Sequence, residues 1–294
     1  MLKGSIVALV TPMLDNGKVD NAALRRLIQW HIEAHSDAIV VVGSTGESAT
    51  LTIDEHLAVI QLAVEEAAKR IPIIAGTGAN STREAIYLSM QAKHLGAAMA
   101  LSVVPYYNRP SQRGIYEHFQ AIAQSVDLPM IIYNVPARTA CDMNNDTVLR
   151  LAQIPNIVGL KDATADISRT VALSRQTPEH FALYSGDDST ALAHLLMGGH
   201  GVISVTANIA PTLMREMCRH ALQHNVIAAR TINTRLSMLH QRLFVESNPI
   251  PVKWALSRLG LVTNNLRLPL MPLSDEHHAG VLEAMHHANI ILPS

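Results

Sequence analysis

Residues 38–47 read AIVVVGSTGE, a short apolar run that is followed at once by glycines and hydroxyl-bearing residues. The run is rich in β-branched residues and has no alternating polar positions, which is typical of a strand buried on both faces of a parallel sheet. The stretch after the turn, Ile53–Arg70, has the apolar spacing of an amphipathic helix. Thr52 precedes it and Glu55 follows three residues later, a pattern that caps helix N-termini. The repeating unit is therefore one strand, one turn and one helix.

This unit recurs along the chain of 294 residues. Eight short apolar runs are present: Ser5–Val10, Ala38–Val42, Ile71–Ala75, Ala98–Val104, Met130–Tyr133, Ile157–Lys161, Phe181–Ser185 and Gly201–Ser204. Further helical patterns lie between them, at Asn21–His35, Thr82–Leu95, Gln112–Ser125 and Asp166–Gln176. Alternating strands and helices indicate a parallel sheet covered by helices, and eight such units close naturally into a barrel. The sequence predicts an α/β fold, a (β/α)8 TIM barrel.

The tail of the chain does not repeat the unit. Thr212–His224 can serve as the last barrel helix, and three more helical patterns follow at Val226–Phe244, Pro251–Leu259 and Asp275–Ala288. Prolines separate these pieces. We interpret residues 1–224 as the catalytic barrel and residues 225–294 as a C-terminal helical extension that packs on it.

Composition narrows the class of protein. The formal net charge of −1 at pH 7 gives no reason to expect a nucleic acid or an anionic membrane as partner. Cys141 and Cys218 lack the spacing of a metal-binding or redox motif. No apolar stretch is long enough to cross a bilayer, and the N-terminus has no signal-peptide pattern. We expect a cytoplasmic protein.

The histidines give no sign of a metal site. His31 and His35 stand four residues apart in one helical pattern, without the glutamate of an HExxH arrangement. A metal site needs at least three converging ligands. We expect solvated histidines and no metal.

Barrel enzymes carry their active sites at the carboxyl ends of the strands. Here the sixth run delivers Lys161 to that rim. Loss of water there lowers the pKa of a lysine and exposes a nucleophilic amine, as Schiff-base chemistry requires. The alternative is a lysine paired structurally with Asp162 or Glu47.

Other polar residues follow neighbouring strands, and each has a structural alternative. The turn at residues 43–46 can bind an anion through its backbone N–H groups, or be an ordinary turn in which Ser44 or Thr45 caps the next helix. Tyr133 can shuttle protons or simply pack. Arg138 can bind a carboxylate or form a surface salt bridge.

Asp187 and Asp188 follow the seventh run and can form a carboxylate pair. An N-cap before Thr190–Met197 explains them adequately.

Four stretches together resemble the dihydrodipicolinate synthase family, within the pyruvate-dependent lyase and aldolase superfamily: residues 43–47 (GSTGE), 106–110 (YYNRP), 133–139 (YNVPART) and 159–162 (GLKD). The resemblance runs from about Gly4 to Leu292 and includes residues 198–205 (GGHGVISV) and 248–253 (NPIPVK). The lysine and the glycine–hydroxyl turn are shared by the superfamily. Arg138 in its setting, with Tyr106-Tyr107-Asn108, is specific to the synthase family.

The resemblance implies a lyase reaction through a Schiff base on Lys161. Pyruvate condenses with L-aspartate-4-semialdehyde to form 4-hydroxy-tetrahydrodipicolinate, the first committed step of the diaminopimelate route to lysine. The protonated imine acts as the electron sink of the reaction, so neither a metal nor an organic cofactor is expected.

The resemblance also assigns roles at the site. Tyr133 exchanges protons, and Ser44 with Tyr107 of a neighbouring subunit links it to solvent. The residues implied to bind substrate are Thr45, Arg138, Gly186 and Ile203, the last through its backbone. The expected assembly is a homotetramer built from two tight dimers.

The sequence departs from the family pattern at a few positions. Ser44 stands where many members have threonine, and Asp162 replaces a common glutamate; we expect both changes to be mild. Ile53 stands where lysine-regulated members often carry histidine. The residues that match the family's regulatory pocket are Ser48, Ala49, His56, Asn80, Glu84 and Tyr106. We therefore expect weakened inhibition by lysine.

Three other functions are compatible with parts of the pattern. A related pyruvate lyase, such as N-acetylneuraminate lyase or a keto-deoxy sugar acid aldolase, would share Lys161, but Arg138 and Tyr107 argue against a sugar substrate. A non-catalytic barrel would not need the lysine, tyrosines and arginine together. A pyridoxal phosphate enzyme would need a phosphate-binding loop, and no convincing one is present.

Overall fold

The computed structural model describes residues 1–293, and its centre is a closed barrel of eight parallel strands. Each strand pairs with the next, and β8 pairs with β1 to close the sheet. The predicted (β/α)8 barrel is confirmed. The strands are β1 (Gly4–Ala8), β2 (Ala38–Val41), β3 (Ile73–Gly76), β4 (Met99–Val103), β5 (Met130–Asn134), β6 (Ile157–Asp162), β7 (Ala182–Ser185) and β8 (Gly201–Ser204).

Helices surround the strands and continue beyond the last one. Thr52 caps the second helix in the predicted capping box, in which its side chain accepts from the Glu55 backbone. None of the helices described is long and apolar enough to cross a membrane. The helices are α1 (Asn21–Glu33), α2 (Ile53–Ala67), α3 (Thr82–His94), α4 (Gln112–Ser125), α5 (Pro136–Thr139), α6 (Asn145–Leu151), α7 (Ile167–Ser174), α8 (Ala191–Leu196), α9 (Pro211–Leu222), α10 (Val226–Arg242), α11 (Ile250–Arg258) and α12 (Asp275–His287).

Alternate residues of each strand pack in two separate apolar cores, one inside the barrel and one between the strands and the helices. On β1, Ile6 and Ala8 point into the barrel, whereas Val7 belongs to the layer between strands and helices. The barrel interior is filled by side chains from several strands, including Leu101 and Tyr184. Because both faces of every strand are buried, the strands have the continuous apolar sequences from which the fold was predicted.

The C-terminal extension shares the outer core with the barrel. Helix α9 ends at Leu222 and α10 begins at Val226. Buried residues of α10 to α12, including Leu236, Val252 and Met285, lie in the same apolar cluster as the helices of the barrel. The extension is therefore packed on the barrel as a continuous part of its outer layer.

A buried ion pair joins the extension to the rim of the barrel. Lys253 on α11 and Glu47 after β2 are both fully buried, and the Lys253 Nζ lies 2.5 Å from a Glu47 carboxylate oxygen. The same ammonium donates to the Thr11 carbonyl at 3.0 Å, and the second carboxylate oxygen of Glu47 accepts from the Arg267 backbone at 3.2 Å. Each charge thus has more than one partner, as a buried ion pair requires.

The expectation of solvated histidines is wrong for His31. Its ring is fully buried on α1, with Nδ1 2.9 Å from the Ser36 hydroxyl, and burial lowers the pKa of His31 to about 3. Helix α1 ends at Glu33, so His35 lies beyond the helix with a positive φ of 56° and is exposed. The two side chains do not share a helix face because the helix stops between them.

We predict that Lys253→Met destabilises the protein by about 3–5 kcal/mol, because it leaves the Glu47 carboxylate buried without its counter-charge. Urea unfolding at matched protein concentration measures the loss. The double variant Lys253→Met/Glu47→Gln should recover part of it, since the uncompensated charge is gone.

Lys93→Met is the matched control. It breaks an ion pair to Asp127, whose side chain is 97% exposed, at 3.6 Å. An exposed pair of this kind contributes about 0–1 kcal/mol. Equal losses in the two single variants would contradict the role of the buried pair.

Candidate active site

Lys161 lies inside the carboxyl end of the barrel, between two tyrosines. It is paired in register with Tyr133 on β5 and with Tyr184 on β7, and only 7% of the residue is exposed. Its Nζ lies 4.3 Å from the centre of the Tyr133 ring. Its predicted position at the end of a buried strand is confirmed.

The surroundings make Lys161 an unusually weak base. Burial lowers the pKa of its ammonium to about 8; the charge of Arg138 acts in the same direction, and that of Asp188 opposes it. A fall from the usual value near 10.4 increases the neutral amine at pH 7 by a few hundredfold, roughly. The expected depression of the pKa is confirmed in direction and cause.

The structural alternative for Lys161, an ion pair with Asp162 or Glu47, is wrong. Asp162 pairs with the Arg169 guanidinium at 3.1 Å, and Glu47 pairs with Lys253. Within residues 1–293, Lys161 takes part in no salt bridge. A buried lysine without such a pair is available for chemistry.

Burial keeps the phenol of Tyr133 in its neutral form. Burial raises the pKa of its phenol to about 12, while the charge of Arg138 and the hydroxyl of Ser44 act in the opposite direction. The ring also belongs to the apolar barrel interior. Packing and proton transfer are thus compatible roles, and the neutral phenol faces the lysine.

A cavity of about 270 Å³ opens above the lysine. Five other predicted site residues line it with Lys161: Ser44, Thr45, Tyr133, Arg138 and Gly186. Further lining residues include Asn248, Phe244, His56 and Asp187. A cavity of this size that combines apolar walls with a few polar groups suits a small organic acid.

Two predicted site residues do not line this cavity. Ile203 is buried in the barrel interior beside the strand ends, with 1% of the residue exposed. Tyr107 points away from the barrel, with 89% exposed and a φ of 73°. In a single subunit, the Tyr107 side chain thus lies outside the lining of the cavity that contains Lys161.

Gly186 leaves the room that Lys161 occupies. A Cβ at this position would lie 2.9 Å from Lys161 Cε and 2.8 Å from Ala163 Cβ, closer than carbon atoms pack. The absence of a side chain after β7 therefore gives the lysine its extended path to the cavity.

Asn248 was not singled out by sequence reasoning, although it lies in one of the stretches that carry the resemblance. It precedes α11 in the extension, and its side-chain Nδ2 donates to Thr45 Oγ1 at 2.9 Å. Its backbone carbonyl accepts from Arg138 Nη2 at 3.0 Å. Only the folded chain brings a residue 203 positions after Thr45 into this contact.

The two aspartates after β7 play separate structural roles rather than forming a pair. Asp187 accepts from the Thr190 backbone at 2.9 Å and so stabilises the turn that leads into α8, although the N-cap residue of that helix is Thr190 and not an aspartate. Asp188 is buried and accepts from the backbone of Val205 and Thr206, each at 2.9 Å. The N-cap interpretation is therefore wrong for Asp188, which instead ties the turn after β7 to the turn after β8.

A second cavity of about 380 Å³ adjoins the first. Most of the residues of the predicted regulatory pocket line it, together with Ile53: Ser48, Ala49, His56, Glu84 and Tyr106. Asn80 is not among the lining residues, but its side chain donates to the Tyr106 carbonyl at 3.2 Å. Ser48 and His56 line both cavities.

Comparison with known proteins gives one consistent result. The model of the dihydrodipicolinate synthetase family matches residues 1–288. A 4-hydroxy-tetrahydrodipicolinate synthase of an Azoarcus species is 60% identical over 290 residues, which cover 99% of each chain. The corresponding synthase of Nitrosospira multiformis is 60% identical over 291 residues, which cover 99% of this chain and 97% of the relative.

Solved structures agree with the sequence comparison. A chloride-inhibited dihydrodipicolinate synthase of Acinetobacter baumannii, complexed with pyruvate, superposes with a TM-score of 0.98 at 54% identity, covering 99% of this chain and 100% of that one. An enzyme of Cyanidioschyzon merolae with lysine bound gives a TM-score of 0.96 at 40% identity, with 99% of both chains covered.

Proposed function

The chain belongs to the dihydrodipicolinate synthetase family, and from this premise we propose that it condenses pyruvate with L-aspartate-4-semialdehyde. The product is 4-hydroxy-tetrahydrodipicolinate, at the first committed step of the diaminopimelate route to lysine. One observation carries the proposal beyond family membership: the buried, unpaired Lys161, with a pKa near 8, faces a cavity that also contains Arg138.

The first half of the reaction forms the imine. The neutral Nζ of Lys161 attacks the ketone carbon of pyruvate, and a proton from Tyr133 assists the departure of water. The protonated imine that results withdraws electrons from the neighbouring methyl group. This electron sink makes a metal or organic cofactor unnecessary for the proposed chemistry.

The second half builds the carbon skeleton. The Tyr133 phenolate left by the first half takes up a methyl proton, which gives an enamine. The enamine carbon attacks the aldehyde carbon of the semialdehyde, and Tyr133 returns the proton to the aldehyde oxygen. The amino group of the semialdehyde then attacks the imine carbon, and Lys161 leaves as the amine. Ring closure therefore releases the product and restores the enzyme.

The cavity provides groups for both substrates. We assign Thr45 and Gly186 of the cavity to pyruvate, together with the backbone of Ile203, which lies in the barrel interior beside the strand ends. Arg138 is assigned to the semialdehyde carboxylate; it takes part in none of the ion pairs formed among residues 1–293, so its guanidinium has no protein carboxylate as competitor. A planar guanidinium binds a carboxylate through two parallel hydrogen bonds.

Proton exchange with solvent is assigned to Tyr133, Ser44 and Tyr107. Since the exposed Tyr107 does not line the cavity of its own subunit, the relay needs Tyr107 of a neighbouring copy. We propose a homotetramer of two tight dimers, in which Tyr107 crosses the tight interface. The exposed Tyr106 and Leu268, with exposures of 41% and 76%, are apolar surface that such an interface would cover.

We place the enzyme in the cytoplasm. Its two cysteines, Cys141 and Cys218, are both free and buried, which fits a reducing compartment.

We also propose that lysine binds the second cavity and inhibits weakly. The residues implied by the family resemblance converge there, and Glu84 offers a carboxylate for an ammonium group. Ile53, 45% exposed, offers no hydrogen bond where regulated members often carry histidine.

The proposed reaction predicts that borohydride with pyruvate traps a reduced adduct on Lys161, located by mass mapping. The rate of imine formation should rise about tenfold per pH unit below the pKa and level off above about pH 8, because only the neutral amine attacks. Lys161→Ala should form no adduct, whereas Lys93→Ala should react normally. The proposal fails if the wild-type protein forms no adduct, or if the enzyme assayed without borohydride turns over a sugar aldehyde in preference to aspartate semialdehyde.

The intersubunit relay predicts complementation between two inactive variants. Lys161→Ala and Tyr107→Phe should each lose at least about tenfold in kcat. Co-expressed with separate tags and purified as mixed oligomers, they should regain activity, because one site then combines Lys161 of one subunit with Tyr107 of the other. Sedimentation measures the assembly state. Absence of regain in confirmed mixed oligomers would place Tyr107 outside the relay.

The lysine site predicts that Ile53→His strengthens inhibition by lysine roughly two- to tenfold, the contribution of one net hydrogen bond. Ile53→Leu is the control and should leave inhibition unchanged. Inhibition curves and calorimetric titration with lysine measure both. Full activity of the wild type at saturating lysine, together with no heat of binding, would refute the site.

A further inference from the structure

Resting on the proposed function, we propose that Asn248 is a positioning residue that turns the hydroxyl hydrogen of Thr45 toward the carboxylate of the bound keto acid. Asn248 belongs to the extension and Thr45 to the turn after β2. Both line the cavity above Lys161. The extension would thereby decide that the Thr45 hydroxyl donates a hydrogen bond to the bound pyruvate rather than accepting one.

In the structure the amide nitrogen of Asn248, rather than its amide oxygen, faces the Thr45 hydroxyl. The Asn248 amide nitrogen lies 2.9 Å from Thr45 Oγ1, and both residues are more than nine-tenths buried. An amide –NH2 can only donate, so the hydroxyl oxygen is the acceptor in this bond. The single hydrogen of the hydroxyl must then point in another direction.

That hydrogen has no acceptor in the part of the chain that the structure describes. Among residues 1–293, the Thr45 side chain makes no hydrogen bond other than the one it accepts from Asn248. A buried donor without a partner costs free energy, and such donors are usually completed by water or a ligand. Since the residue lines the cavity, a bound carboxylate oxygen is an acceptor of the right chemistry.

The backbone of Asn248 is held in place from two sides, while its side-chain Oδ1 is buried without a hydrogen-bond partner among residues 1–293. Its backbone carbonyl accepts from Arg138 at 3.0 Å, and five residues later Lys253 forms the buried pair with Glu47. The turn is fixed as well, because Thr11 Oγ1 donates to the Gly46 carbonyl at 2.7 Å. The Asn248 amide and the Thr45 hydroxyl therefore lie on two anchored segments. Their hydrogen bond persists, and it restrains rotation of the hydroxyl.

If the hydrogen bond between residue 248 and Thr45 ran in the opposite direction, the keto acid would bind more weakly. If a carboxylate stood at position 248, it would accept the hydroxyl hydrogen, and the Thr45 oxygen would then turn its lone pairs toward the keto acid. Two acceptors facing each other repel. The amide is thus required at this position for its donor group, beyond its size and shape.

The test compares Asn248→Ala with Asn248→Asp by steady-state kinetics in both substrates. We expect the KM for pyruvate to rise about tenfold in Asn248→Ala and by a larger factor in Asn248→Asp, although aspartate matches asparagine in shape. The KM for the semialdehyde should change less than about twofold, because the backbone carbonyl that holds Arg138 remains. Phe244→Leu, at another cavity residue of the extension, is the matched control for local packing.

A double-mutant cycle with Thr45→Val separates the effect of the Asn248–Thr45 hydrogen bond from the effects that the Asn248 variants have through charge or folding. Thr45→Val should raise the KM for pyruvate by itself, and Asn248→Ala should add little in that background. Any residual effect of Asn248→Asp there measures the negative charge alone. Circular dichroism checks the fold of each variant.

Three outcomes would overturn the proposal. They are a milder effect of Asn248→Asp than of Asn248→Ala, an undiminished effect of Asn248→Ala without the Thr45 hydroxyl, and an equal loss for both substrates. Borohydride trapping at saturating pyruvate should still label Lys161 in every variant. Failure of trapping in the wild type would instead refute the proposed reaction.

Discussion

A parallel sheet that closes on itself imposes the constraint from which the rest of this structure follows. Closure brings the carboxyl ends of all eight strands to one rim, so residues far apart in sequence must share one small space. Inside the rim, Lys161 and Tyr133 stand in register on adjacent strands and are largely buried. Burial lowers the pKa of the Lys161 ammonium and raises that of the Tyr133 phenol, so both neutral forms are favoured.

The low pKa of Lys161 depends on a balance of charges as well as on burial. The carboxylates that could neutralise it have other partners: Arg169 holds Asp162, and Lys253 holds Glu47. The Asp188 charge raises the pKa, and Arg138 lowers it. The lysine can therefore lose its proton near neutral pH. The charge of the Asp188 carboxylate would act in the same way on the protonated imine proposed here and favour its positive form.

The extension completes the rim that the barrel begins. Its Lys253 satisfies Glu47 at the base of the glycine–hydroxyl turn, and its Asn248 contacts Thr45 and Arg138 in the cavity. These contacts connect the proposed sites for the two substrates through one residue of the extension. A division of the chain at residue 224 thus describes the repeat pattern, while the catalytic cavity uses both parts.

The sequence alone determined the barrel, the position of Lys161 at a strand end and the direction of its pKa shift, because strand periodicity and burial are local properties. It also predicted the set of rim residues, through the family resemblance. It misjudged His31, whose burial depends on where α1 ends and what covers it. Tertiary structure alone decided the partners: Glu47 with Lys253, Asp188 with the turn after β8, and Asn248 with Thr45. These pairs join residues separated by between 17 and 206 positions, and hydrogen bonds at such separations are fixed by packing in space, which no local pattern records.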